Sequence, residues 1–194
     1  MKLAEQTPGG LTRRRFLGVT AATAAAALLP GRALAGVRGP AEGSPDRVLS
    51  FFNTHTGERL TTAYCCRGEY QPAALESINH ILRDFRAGEI RDIDPKLLDL
   101  LHDLAGRLES DEPFHIISGY RSPTTNAILR ARGGSSSGVA SGSLHMVGKA
   151  IDIRVPRVRL DHLRAAARSL QRGGVGYYPA SDFVHVDTGR VRFW

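Results

Sequence analysis

The chain has 194 residues, 42% of them hydrophobic, with 26 Lys and Arg against 19 Asp and Glu and a formal net charge of +7. That length allows one domain with a sizeable buried core plus a short extra segment. The charge is concentrated at the start. Residues 1–35 hold five basic side chains and one acidic one, which leaves 21 against 18, or +3, for residues 36–194. So small an excess, with no basic block interleaved with aromatics, excludes a nucleic-acid footprint. It is compatible with an anionic polymer such as the cell wall.

The N-terminal segment reads as an address. Thr12-Arg13-Arg14-Arg15-Phe16-Leu17 is a twin-arginine pattern, an Ala-rich apolar run follows to Leu29, and Ala33-Leu34-Ala35 has the small-x-small form of a cleavage site. The run is too short to span a bilayer and is broken by Pro30 and Gly31. Residues 1–35 are therefore expected to be a twin-arginine signal peptide, 36–46 a flexible leader, and 47–194 the folded domain, located in the periplasm or secreted. An uncleaved N-terminal anchor helix is the plainer alternative.

Residues 48–53 and 59–64 are short β-rich runs around Thr54-His55-Thr56-Gly57, which predicts a hairpin with His55 exposed at its turn. Cys65 and Cys66 are neighbours, too close to bridge each other without strain. They read as structural, with one buried. Pro72 followed by Leu75, Ile78, Leu82 and Phe85 predicts an amphipathic helix over 72–87, with His80 off its stripe. Asp94-Pro95 starts a second helix whose apolar face is Leu97, Leu98, Leu101, Leu104 and Leu108; His102 reads as surface.

Residues 114–118 are a strand. Ser122-Pro123 then caps a short helix to about Arg132, which leaves Arg121 at a strand–helix junction, a usual place for functional groups. A Gly/Ser loop covers 133–142. Residues 149–155 are strand-like, 159–172 helical, and Gly173-Gly174 is expected to end that helix. Two β runs, 175–178 and 183–187, form a second hairpin across Pro179–Asp182. The mixture predicts an α+β domain with a small, mainly antiparallel sheet flanked by helices.

Ser143–Asp152 stands out. It places a histidine, His145, seven positions before Asp152, a carboxylate within the apolar run Ala-Ile-Asp-Ile-Arg-Val. A lone carboxylate there costs several kcal/mol to bury unless a cation or good donors neutralise it. Strand alternation in Phe-Val-His-Val-Asp puts Phe183, His185 and Asp187 on one face. His145, Asp152 and His185 together would form a His₂-carboxylate set, which suits zinc with a fourth position for water. The alternative is a hydrogen-bonded core histidine beside an unrelated pair. A general base would be Asp182, three residues before His185, or Asp187, two after it. Arg121 could hold a carbonyl oxyanion or a substrate carboxylate.

Three segments carry a family resemblance: Ser118-Gly-Tyr-Arg-Ser122, Ser143-x-His145-x-x-Gly148-x-Ala150-x-Asp152, and Gly174-Val-Gly-Tyr-Tyr178 with Phe183-Val-His185-Val-Asp187-Thr-Gly189. Together they resemble the YcbK-like periplasmic murein endopeptidases, in the clan of D-Ala-D-Ala metallopeptidases, lysostaphin-type enzymes and the hedgehog zinc domain. The resemblance implies that fold over most of 47–194. It implies one zinc on His145, Asp152 and His185, with Arg121 facing substrate. It also implies a base at Asp182, where the clan usually has Glu, so Asp187 stays open as the alternative. The implied substrate is the peptide cross-link of peptidoglycan, and the protein is expected to act as a monomer. Two other functions fit the same residues: a zinc D,D-carboxypeptidase or dipeptidase on small cell-wall peptides, and a non-catalytic wall-binding zinc module.

Overall fold

Alternation along the first strand decides where the core begins. In β1 (Arg47–Asn53), Leu49, Phe51 and Asn53 turn inward and are buried. The strand pairs antiparallel with β2 (Arg59–Cys66) in the expected hairpin. Asn53 closes the turn, its side-chain oxygen accepting from the His55 and Thr56 amides while its side-chain amide donates to the Ile81 carbonyl. The computed structural model describes residues 45–133 and 139–194. The expected signal peptide, most of the leader and the centre of the Gly/Ser loop lie outside the described residues. Cys65 is buried, Cys66 partly so, and both are free thiols.

A two-residue β3 (Glu69–Tyr70) edges β2 and precedes α1 (Pro72–Ile81), which is shorter than the 72–87 that its apolar spacing predicts. The chain leaves the helix because of Asp84. This buried carboxylate accepts the backbone N–H of Arg86 and of Ser122, a local alternative to helical bonding. Phe85 is consequently off the helix and stacks on His55, ring centroids 4.3 Å apart. α2 (Pro95–Leu108) forms as expected, with Asp94 accepting from the Lys96 amide. Leu97, Leu98, Leu101 and Leu104 are fully buried along it. Leu101→Ala is expected to lower the unfolding free energy by about 2–5 kcal/mol, read from the urea midpoint at unchanged slope.

β4 (Phe114–Ser118) leads to α3 (Pro123–Gly133), started by Ser122, whose Oγ accepts from the Thr125 amide. A 3-10 turn over Leu144–Val147 ends at Gly148, in the left-handed region at φ 67°, and delivers the chain into β5 (Ala150–Arg154). Then come α4 (Leu160–Ser169), β6 (Gly174–Tyr178), β7 (Phe183–Asp187) and a terminal β8 (Arg192–Phe193). Gly173-Gly174 does not end α4 as expected. The left-handed residue there is Gln171, and Gly173 is needed because a Cβ would stand 1.7 Å from the Asp187 carbonyl oxygen.

The eight strands form one sheet, ordered β3-β2-β1-β4-β5-β7-β6-β8. Only β1–β4 and β6–β8 pair in parallel, so the domain is α+β with a mainly antiparallel sheet. α2 packs on β1 and α4, and α4 on β6 and β7. Among the described residues no helix is long and apolar enough to cross a membrane. Ile151, Ile153, Val184 and Val186 join the hydrophobic core, so period-two alternation turns Asp152, His185 and Asp187 to the other face. Register then aligns them: Ser118 pairs with Asp152, Asp152 with His185, and His185 with Gly176. One row across four strands is the floor of the site.

Candidate metal centre

His145 reaches this row from the 3-10 turn, and its orientation is fixed from behind. Its Nδ1 lies 2.8 Å from the Gly119 carbonyl oxygen, which can only accept, so Nδ1 carries the hydrogen and Nε2 faces inward. His185 is fixed the same way with the nitrogens exchanged. Its Nε2 lies 2.9 Å from Asp187 Oδ2, so Nε2–H donates there and Nδ1 faces inward. The two inward nitrogens are 3.2 Å apart. Asp152 Oδ1 lies 2.8 Å from His185 Nδ1 and 3.3 Å from His145 Nε2.

Three lone-pair atoms thus converge, all within 4.8 Å of one another, on side chains that are 3%, 6% and 8% exposed. With both imidazoles neutral, no hydrogen lies between the two nitrogens, an arrangement that a cation would relieve. Burial lowers the His185 pKa, but Asp152 and Asp187 outweigh that and raise it to about 8. Burial likewise works against the Asp152 carboxylate, yet His145 and His185 hold its pKa well below the ordinary range. A tetrahedral zinc, with bonds of about 2.0–2.1 Å, would set its donors about 3.3 Å apart. Two of the three spacings, 3.2 and 3.3 Å, match it and the third, 2.8 Å, is shorter; the donor types, two imidazole nitrogens and a carboxylate oxygen, suit a metal of that kind.

Asp187 stands behind the cluster. It is fully buried, and its Oδ1 accepts from the Gly174 and Gly189 amides and from Arg192 Nη1. Its Oδ2 accepts from Arg192 Nη2 at 2.8 Å and from His185. Burial would raise its pKa, but His185, Arg192 and the two amides bring it far down. Every lone pair is spoken for, which makes Asp187 a holder of His185 rather than an open acceptor.

Arg121 lines the same cavity, of about 160 Å³, with His145, Asp152, His185, Phe183 and Trp194. Its bonds are long: 3.4 Å to Asn126 Oδ1, 3.2 Å to Ser118 Oγ and 3.5 Å to Asp152 Oδ2. Its Nε is buried with no partner. Such a guanidinium retains donors for an incoming anion. Asp182 is not brought to the cluster. It ends the β6–β7 turn in the left-handed region, is absent from the cavity lining, and pairs with Arg154 at 2.8 Å with its side chain 62% exposed.

The family described as peptidoglycan L,D-endopeptidase MepK matches residues 41–194. The chain belongs to that family. Curated members include peptidoglycan L,D-endopeptidase MepK of Escherichia coli K12, 43% identical over 94% of this chain and 96% of that one. The protein of the same name in Shigella flexneri shows the same identity and coverage. A probable peptidoglycan L,D-endopeptidase MepK of Haemophilus influenzae is 38% identical over 94% and 95%. Family membership and the resemblance read from the three motifs agree. The motifs did not point to Arg192, which anchors Asp187, or to Trp194. The signal was there in Gly-Val-Gly-Tyr-Tyr, where alternation clears both glycines from one face of β6 and leaves room for large groups.

Proposed function

We propose that the protein is a zinc-dependent murein endopeptidase that hydrolyses an amide bond in peptidoglycan peptide cross-links. Likeness to relatives named L,D-endopeptidases supports a bond between an L and a D centre. The observation that carries the reading is the convergence of three fixed lone pairs beside an under-bonded arginine. His145 Nε2, Asp152 Oδ1 and His185 Nδ1 would hold the ion. When bound, zinc supplies Lewis acidity, lowering the pKa of a water and polarising a carbonyl.

The chain's own groups do the rest. Arg121 receives the negative charge that develops on the carbonyl oxygen, or anchors a substrate carboxylate nearby. Asp182 takes a proton from the attacking water and passes it to the leaving amine as the C–N bond breaks. To do so its carboxylate must leave Arg154. That pair is exposed, and such pairs are worth at most about 1 kcal/mol, so the cost is small. Asp187 has no lone pair left for this task. The twin-arginine pattern supports export to the compartment where murein lies.

Digestion of purified sacculi with the zinc-loaded protein, with products read by mass, tests the reading. Release of cross-link peptides that stops with chelator and returns with zinc is expected. Intact sacculi under zinc-replete conditions would overturn it, and release of single terminal residues would favour a carboxypeptidase.

A further inference from the structure

One wall of the cavity is Trp194. Trp194 follows β8 and stays in the sheet: its N–H donates to the Val175 carbonyl at 3.2 Å, and its carbonyl accepts from the Tyr177 amide at 3.0 Å. The indole N–H donates to the Tyr178 hydroxyl at 2.8 Å. The Arg192 guanidinium lies 4.8 Å from the ring centroid. β6 is bare beneath the ring, for a Cβ at Gly176 would stand 2.7 Å from the indole.

Backbone pairing, a hydrogen bond and a stacked cation thus fix a large ring in place. Yet Trp194 is 45% exposed. A rigid aromatic left uncovered costs little further entropy on binding, which makes it a good contact surface. Its ring lies 5.3 Å from that of His185 and lines the metal cavity. Its only polar atom is committed to Tyr178, so what it offers the cavity is apolar face. Tyr178 and Phe183, stacked with centroids 4.6 Å apart, continue that apolar wall.

We propose that Trp194 is a substrate-contacting residue that positions the peptide at the reacting amide. Its face takes the aliphatic C–H surface of the residue beside the scissile bond, while Arg121 takes negative charge in the same cavity. The inference rests on the endopeptidase reading above.

Trp194 is the chain's single tryptophan, so intrinsic fluorescence reports on this wall directly. In the zinc-loaded wild type, titration with purified muropeptide products of the reaction is expected to change the emission in a saturable way. Emission that stays constant at product concentrations that inhibit cleavage would overturn the inference. Kinetics on soluble cross-linked muropeptides give a second arm. Trp194→Ala is expected to raise KM about tenfold or more with kcat within about threefold and zinc content unchanged, and Trp194→Phe to restore most of the KM. An unchanged KM in Trp194→Ala overturns the inference. If that variant fails to fold, the fluorescence titration decides. A wild type that cleaves no muropeptide refutes the endopeptidase reading itself; a cleaving wild type with an indifferent Trp194→Ala refutes only the role of the tryptophan.

Discussion

His145→Ala and His185→Ala are each expected to remove the bound metal and murein cleavage together. The three inward atoms come from three separate elements, and no other His, Cys, Asp or Glu among the described residues joins them in a metal-holding group. Losing an outer partner of a metal ligand commonly costs about 10–100-fold in metal affinity, and losing a ligand itself costs more. The two variants differ in what they leave behind. His145→Ala frees the buried Gly119 carbonyl and takes from Asp152 the more distant of its two histidines. His185→Ala strips both Asp152 and Asp187 of their shared histidine, and both are buried. Asp187 keeps Arg192 and two amides, and Asp152 keeps His145 and Arg121, so each loss is smaller than the about 3–5 kcal/mol of a buried charge left with no partner, but it falls on two carboxylates. The His185 variant should therefore melt at a lower temperature than the His145 variant, each measured without metal. Metal content by elemental analysis and peptide release from sacculi check the shared expectation. Cleavage that survives in either variant with metal absent would sink the metal hypothesis.

The candidate ligands were legible in the sequence because strand chemistry has a fixed period. Asp152 inside Ala-Ile-Asp-Ile is a polar residue where alternation demands a reason, and His185 within Phe-Val-His-Val-Asp repeats the pattern. What the sequence could not supply is register. That Asp152 faces His185 directly is a property of β5–β7 pairing, and pairing follows from how Ile151, Ile153, Val184 and Val186 pack together. The misread elements share this cause. Helical spacing ran through Phe85, but Asp84 is drawn to the Ser122 amide across a long stretch of chain and ends α1. Gly173 looked like a helix terminator until the Asp187 carbonyl occupied the place of its Cβ. β8 escaped notice because two residues carry no period at all. Its parallel pairing to β6 is what turns Trp194 onto the face of the candidate site.

Asp182→Ala is expected to keep its zinc and to lower turnover by on the order of 10²-fold or more, the usual loss for a missing general base. Asp187→Asn should do something different. Every group facing Asp187 is a donor: two backbone amides, Arg192 and the Nε2–H of His185. An asparagine amide would turn one donor against another and loosen the hold that keeps His185 Nδ1 pointed inward. Metal affinity should fall by about 10–100-fold, and saturating zinc should recover much of the activity. Turnover measured across a zinc titration separates the two. A loss that zinc cannot repair belongs to proton transfer, and one that it can repair belongs to ligand orientation. If Asp182→Ala turns over at the wild-type rate, the proton goes elsewhere, and the exposed Asp182–Arg154 pair is then only a surface contact. If Asp187→Asn stays inactive at full zinc occupancy, the carboxylate behind His185 acts in the reaction itself, through the imidazole it holds.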